Sequence, residues 1–187
     1  YFKTASYFVG FDISGGDAYN STAGAAGRAG GVYIDHPDGM IEYCIVHDNY
    51  GSKTDGSIKG VGGGVYARGI VKNCIVENNI AIAADGKKPG GVSIKTGYVV
   101  NCLVEGNKIG GTANNANYGG GIDCSMVTEP AGEEIVAHVI NCTVVGNDAT
   151  SGRGGGIGFG NKGSSEVVNC IVVDNVARSE STPAGSN

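Results

Sequence analysis

The stretch Asn73-Cys-Ile-Val-Glu-Asn-Asn79 decides the fold, because close variants of it return four more times along the chain. The variants are Cys44-Ile-Val-His-Asp-Asn49, Cys102-Leu-Val-Glu-Gly-Asn107, Cys142-Thr-Val-Val-Gly-Asn147 and Cys170-Ile-Val-Val-Asp-Asn175. Successive cysteines of this repeat are 30, 28, 40 and 28 residues apart. A period near 30 residues with variable insertions is typical of a solenoid, in which each repeat forms one stacked coil.

Each repeat contains three short apolar segments. In the first, which follows a glycine cluster, the first and third residues are apolar in every repeat: Val32-Tyr-Ile34, Val65-Tyr-Ala67, Val92-Ser-Ile94, Ile122-Asp-Cys124 and Ile157-Gly-Phe159. The second segment supplies one inward aliphatic residue, at Ile41, Val71, Val99, Val139 or Val167. The third supplies the repeat cysteine and the valine two residues later. Because strand residues alternate between two faces, these positions predict strands with one face in a common core.

Asparagine marks the corner between the second and third segments. Val71 and Cys74 are three residues apart, and this odd step allows both side chains to point inward only if the chain turns between them. Asparagine tolerates the left-handed backbone conformation that such a corner needs, and stacked asparagines can hydrogen-bond along a column. The asparagine that ends each third segment is predicted to form a second column of this kind.

The predicted fold is therefore all-β: a parallel β-helix of five to six coils with three short parallel sheets around a narrow core. Phe8, Phe11 and Ile13 match the spacing of Val71, Cys74 and Val76, which predicts an N-terminal half coil. Residues 1–187 are expected to form a single domain. Since the chain begins at Tyr1 rather than at methionine, we expect it to be a piece of a longer protein.

The pattern resembles the right-handed parallel β-helix superfamily that includes the pectate lyases. It is most similar to the glycine-rich Asn-Cys-x-Val-x-x-Asn repeats of large bacterial secreted and surface proteins, and to polymorphic outer-membrane and autotransporter passenger repeats. The resemblance covers roughly residues 8–177. It implies a secreted or cell-surface, bacterial setting, but it does not choose between lyases, hydrolases, tailspikes and adhesins.

Composition and charge exclude several classes of function. The chain has 187 residues and a net charge of −5, which argues against a nucleic-acid partner. No run approaches the roughly 18 apolar residues of a membrane-spanning helix, so direct membrane insertion is not expected. The repeat cysteines are expected to stay reduced, as apolar members of a core column.

The outward side of the first segment is the predicted ligand-binding face. Its first column contains Tyr33, Tyr66 and Asp123, and a second column two residues on contains Asp35, Arg68 and Lys95. Tyrosines beside charged side chains suit a carbohydrate, because the rings can stack on the sugar while the charges bind hydroxyl or carboxylate groups. A cell-surface protein is the other partner considered.

An enzymatic alternative uses the same face. By resemblance to the lyases of the superfamily, Arg68 or Lys95 would be the base, with Asp123 or Asp35 nearby and calcium as a cofactor. A glycoside hydrolase would instead need paired carboxylates, and Glu77 and Glu105 are expected in register in adjacent coils.

No metal site is predicted from the histidines His36, His47 and His138, because they belong to different parts of the repeat. No cofactor is expected outside the lyase alternative.

The residue after each repeat cysteine points outward, and four of the five are large aliphatics: Ile45, Ile75, Leu103 and Ile171. This stripe predicts lateral self-association if it is exposed, unless loops cover it. The two ends of the stack are a second place for self-association, end to end.

Four insertions, at residues 50–61, 80–89, 108–118 and 125–138, supply loops on the scaffold. Together these observations favour a non-enzymatic scaffold or adhesin segment, with a polysaccharide lyase or glycoside hydrolase as the alternative.

Overall fold

The structure is a computed structural model, and it describes residues 3–18, 29–51, 62–82, 89–110, 119–124, 136–149, 154–159 and 164–177. The described residues form strands, turns and bends, with no helix among them. In chain order the strands are β1 (Tyr7–Val9), β2 (Asp12–Ser14), β3 (Val32–Glu42), β4 (Ile45–His47), β5 (Val65–Lys72), β6 (Ile75–Glu77), β7 (Ile80–Ile82), β8 (Val92–Val100), β9 (Leu103–Glu105), β10 (Lys108–Gly110), β11 (Ile122–Cys124), β12 (Val136–Ile140), β13 (Thr143–Val145), β14 (Asp148–Ala149), β15 (Ile157–Phe159), β16 (Ser164–Val168), β17 (Ile171–Val173) and β18 (Val176–Ala177).

The strands form three parallel sheets that stack as a β-solenoid, as the repeat predicts. Sheet 1 has the order β1-β3-β5-β8-β11-β15, with β12 beside β8 and β16 beside β12. Sheet 2 has the order β2-β4-β6-β9-β13-β17, and sheet 3 has the order β7-β10-β14-β18. Equivalent repeat positions pair directly, for example Val76 with Val104.

The three sheets are not the three segments that the sequence predicts. The first and second segments lie in one sheet, because β3, β5 and β8 run continuously through both. Sheet 3 instead follows the third segment. Ile80–Ile82 and Lys108–Gly110 are therefore strands, although they were predicted as the beginnings of insertions. Likewise Val136 to His138 belong to β12 rather than to the fourth insertion.

The coil count is about four turns rather than the predicted five to six. Among the described residues sheet 3 has four strands, and the earlier coils reach it through single-residue bridges at Asp17 and Tyr50. The N-terminal half coil is confirmed, since Phe8 pairs with Ile41 and Ile13 pairs with Val46.

The core contains the predicted columns. Ile34, Val71, Cys74 and Val104 have almost no exposed surface, and the cluster that they belong to runs through consecutive coils. All six cysteines are free thiols. The repeat thiols lie near backbone carbonyl oxygens; Cys74 Sγ donates to the Lys72 carbonyl at 3.0 Å.

Left-handed residues turn both corners of sheet 2. Asn73, Asn101, Asn141 and Asn169 have φ between 52° and 54°, which confirms the corner predicted before each cysteine. At the far corner the left-handed residue is the one before the buried asparagine, such as Asn78 (φ 54°) before Asn79.

A buried asparagine ladder fastens this far corner. Its members are Asn49, Asn79, Asn107, Asn147 and Asn175. In each step the backbone N–H and the side-chain Nδ2 donate to Oδ1 of the next asparagine; for Asn79 and Asn107 both distances are 3.0 Å. The Nδ2 also donates to a carbonyl oxygen of the preceding coil, such as Val46 O at 2.9 Å from Asn79. The ladder thus couples three coils at each residue.

Candidate functional site

The first column of the predicted ligand face is in register. Tyr33 pairs with Tyr66, Tyr66 with Ser93, and Ser93 with Asp123. These side chains point away from the solenoid core, which is filled by their strand neighbours such as Val65 and Ala67. The alternation of β3, β5, β8 and β11 therefore places this column where the sequence predicts it.

The column is nevertheless buried rather than open. Tyr33 and Tyr66 are 6% and 4% exposed, and Asp123 is 1% exposed. The two tyrosine rings stack on each other, with centroids 4.7 Å apart and planes 10° from parallel, and Ala29 packs against them. A sugar-binding platform needs an exposed ring face. These two rings instead face one another along the long axis of the solenoid, here called the rod axis.

The second column is not in register, which corrects the expected alignment of Asp35, Arg68 and Lys95. Four residues from Asp35 onward lie opposite Arg68 alone, because the pairing resumes at Gly39 with Gly69. On the other side Arg68 pairs with Thr96, which leaves Lys95 in a bulge. A bulge re-aims a side chain locally, so a repeat alignment does not predict the direction of these three.

Asp35 and Arg68 still meet. The guanidinium Nη1 lies 3.7 Å from Asp35 Oδ1, and both side chains are about one quarter exposed (27% and 24%). Lys95 is half-buried. Because both side chains are partly exposed, the Arg68 guanidinium can donate to a polar or anionic group of a ligand, and the Asp35 carboxylate can accept from one.

Two histidine clusters lie elsewhere on the rod, and sequence reasoning missed them. His47 lies between two carboxylates: Nε2 is 2.7 Å from Asp12 Oδ1, and Nδ1 is 2.7 Å from Asp48 Oδ2. These hydrogen bonds, first to Asp48 and then to Asp12, raise the pKa of His47. Both ring nitrogens are engaged, so the imidazole ties the half coil at β2 to the first complete coil.

The second cluster is built on the outer side of β8, β12 and β16. The Tyr98 and His138 rings stack with centroids 4.5 Å apart, and His138 Nδ1 lies 2.8 Å from Glu166 Oε2. The three residues pair across the strands. A signal was present in the sequence, because each of them directly precedes the inward valine of the second segment.

Neither cluster is arranged as a metal centre, since both ring nitrogens of His47 already contact carboxylates. Within the described ranges, no group of three or more histidine, cysteine, aspartate or glutamate side chains is arranged to hold a metal ion. His36 lies on β3 and accepts from the backbone N–H of Asp38, whereas His47 is on β4 and His138 is on β12.

Glu77 and Glu105 pair in register on sheet 2, as expected. The same sheet carries the predicted aliphatic stripe on its outer side. Ile45 and Ile171 are 37% and 62% exposed, and Ile75 and Leu103 are half-buried. The stripe is therefore partly open to solvent.

No protein-family model, no curated protein and no solved structure matches the chain. In the described part of the chain, no helix has the length and apolar character needed to cross a bilayer.

Proposed function

We propose that this chain is a non-enzymatic structural or adhesive segment of a bacterial surface or secreted β-helix protein. The family assignment rests on the resemblance of its Asn-Cys-x-Val-x-x-Asn repeats to those of such proteins. In this proposal the coils form a stiff scaffold, and the surface that varies between coils binds glycans or protein partners.

The observation that carries the proposal is how the repeated residues are used. The repeat cysteines and valines fill the core. The asparagine before each cysteine, such as Asn73, turns one corner, and the asparagine that ends each repeat, such as Asn79, belongs to the ladder. The recurring asparagines thus have structural partners in the next coil, such as Asn107 for Asn79. A chain built on repeated structural contacts is what a spacer needs, since each coil is supported by its neighbours.

The segments that vary between coils, residues 52–61, 83–88 and 111–118, belong to the predicted insertions and lie outside the described residues. The described residues on either side of each segment are a strand or bridge of sheet 3 and the glycines that precede sheet 1. Their points of attachment therefore form a row along one side of the rod. Connections on a rigid scaffold are common sites of recognition, and the Asp35–Arg68 pair lies on the same sheet that they enter.

The test is a binding screen with the purified chain against immobilised glycans and surface proteins, next to a turnover assay on acidic and neutral polysaccharides. The proposal expects saturable binding without turnover. Arg68→Ala should weaken binding of an acidic glycan, whereas Glu166→Gln on another part of the surface should not.

Turnover of a polysaccharide that is lost in both Arg68→Ala and Lys95→Ala would overturn the proposal in favour of the lyase alternative. A chain that binds no member of the screen would remove the adhesive part of the proposal.

A further inference from the structure

The outer face of sheet 2 carries two columns of side chains. The aliphatic column contains Ile45, Ile75, Leu103, Thr143 and Ile171, and the second column contains His47, Glu77, Glu105, Val145 and Val173. Neighbouring members of a column are about 4.8 Å apart, and the two columns are about 6.6 Å apart because they are separated by two strand residues.

The centre of this face combines apolar surface with unpaired negative charge. Ile75 and Leu103 pair across two coils, and so do Glu77 and Glu105. Within the described chain neither glutamate has an ion pair or hydrogen bond. Like charges directly opposite each other on neighbouring strands repel, so each of these two carboxylates is destabilised by the other.

The surroundings add to the negative charge. Asp12, Asp48 and Asp174 lie on the strands or corners of the same sheet, and all three are exposed. Among the described residues of sheet 2 and its corner residues there is no lysine or arginine, and His47 is held between Asp12 and Asp48. Lys72 and Lys108 stand just beyond the corners, on sheets 1 and 3, and Lys72 pairs with Glu42. A partner for this face must therefore bring its own cations.

We propose that the outer face of sheet 2 docks a basic amphipathic helix of another protein, lying along the rod axis. Its aliphatic stripe covers Ile75 and Leu103, and a lysine or arginine from the adjacent stripe lies between Glu77 and Glu105. An arginine can donate to both carboxylates at once.

The spacing of the coils is what favours a helix. Residues on one side of a helix return about every 5.4 Å, close to the ~4.8 Å between coils, so contacts stay aligned over about three coils. A strand along the axis repeats on one side only every ~6.6 Å and falls out of step after a single coil.

A second copy of this chain fits the face poorly. The described part of sheet 2 in a second copy brings no lysine or arginine, so pairing two such faces would leave Glu77 and Glu105 without a counter-charge. The site is on sheet 2, whereas the Asp35–Arg68 pair of the proposed function is on sheet 1, so either proposal can fail without the other.

The experiment uses the full chain and a labelled peptide of about four helical turns, with leucines on one stripe and lysines on the next. A matched peptide carries glutamate in place of each lysine. Binding is measured by fluorescence anisotropy at about 50 mM and about 300 mM salt, because screening at the higher salt should weaken ion pairs on the surface. Circular dichroism follows helix formation by the peptide.

Three results are expected. The lysine peptide binds and becomes helical, and the glutamate peptide binds at least tenfold more weakly. The double substitution E77Q/E105Q weakens binding of the lysine peptide at least tenfold and makes that binding less dependent on salt. Glu166→Gln, on sheet 1, is the matched control and should leave binding unchanged.

Equal binding of the lysine peptide to wild type and E77Q/E105Q would overturn the proposal, as would no binding to wild type at all. Binding of the lysine peptide without helix formation would overturn the proposal that the partner is a helix. The charge variants keep their side-chain volume, and an unchanged melting temperature verifies that each is folded.

Discussion

The inner coils and the last described coil share one sequence pattern but differ in burial. Val144 on β13 is fully buried, whereas Val172, at the same position on β17, is 49% exposed. The second segment shows the same difference, since Val139 is fully buried and Val167 is 37% exposed. In the described structure β17 pairs with β13 alone, while β13 lies between two strands. The repeat therefore fixes the direction of a side chain, and burial depends on having a neighbour on each side.

The strongest test of this comparison is one charge placed in each kind of coil. Val76→Asp puts a carboxylate into a fully buried position between two coils, where it has no partner. We expect the loss of at least about 3 kcal/mol and failure of the adjacent coils to fold. Val172→Asp, its matched control, should cost less than about 1 kcal/mol, because the side chain stays near water. Urea denaturation followed by circular dichroism measures both.

The comparison would break if Val76→Asp had the melting temperature of wild type. It would also break if the two variants were destabilised equally, since burial would then not distinguish the coils.

The asparagine ladder gives a second, smaller contrast. Asn107→Ala removes the acceptor for the backbone N–H and the Nδ2 of Asn79 and leaves these buried donors without a partner. We expect a loss of about 2–4 kcal/mol in the free energy of unfolding. Asn175→Ala removes the equivalent acceptor from Asn147, but Asn175 itself is only partly buried, so water can replace the lost contact more easily.

Thermal melts of the two variants should therefore rank Asn175→Ala above Asn107→Ala in stability. The reverse order would show that the last coil depends on the ladder more than the inner coils do.

The columns and corners of the fold could be predicted because they recur. Cys74 and Val76 return at one spacing in each repeat, and the corner at Asn73 follows from an odd step between two inward positions. Sheet 3 could not be predicted in this way. Each of its strands contributes one inward residue, such as Ala81 or Ile109, and one apolar residue does not produce a visible alternation.

Of the candidate site, only the alignment of the first column could be predicted. The register of Tyr33 with Tyr66 follows from the repeat, but their burial depends on what packs on the outer side of sheet 1. The bulge at Lys95 also carries no repeat signal. Glu77 and Glu105 were correctly placed, because sheet 2 has short strands of equal length and no bulge there.

The half coil at the N-terminal side gives a test by pH. Asp12 belongs to β2 and holds His47 of β4, with Asp48 on its other side and Glu77 in register on β6. Because the pKa of His47 is raised in the folded chain, this contact stabilises fully below the ordinary histidine value of about 6.5 and is lost as pH rises through the folded value. Melting temperature should therefore fall over that window, and His47→Gln should reduce the fall.

An identical pH dependence in wild type and His47→Gln would contradict this role. Asp12→Asn provides the control for the half coil, since it keeps the size of the side chain and removes one of the two carboxylates.

The smallest expected effect is on thiol reactivity, without a change in stability. Cys74 and Cys102 are buried in the inner coils, whereas Cys170 in the last coil is partly exposed. Burial raises the pKa of Cys170, whereas hydrogen bonds to the Cys102 thiol lower the pKa of Cys74 and lower that of Cys142 to about 7. Because Cys74 and Cys142 are buried, we expect access rather than the thiolate fraction to decide which thiol reacts first. A maleimide should label Cys170 first in the native chain, and Cys170→Ala should remove this first phase. Mass spectrometry of digested, partly labelled chain identifies the site. Early labelling of Cys74 or Cys102 at the rate of Cys170 would show that the inner coils open as readily as the last one, and the contrast between the two regions would then be one of static packing only.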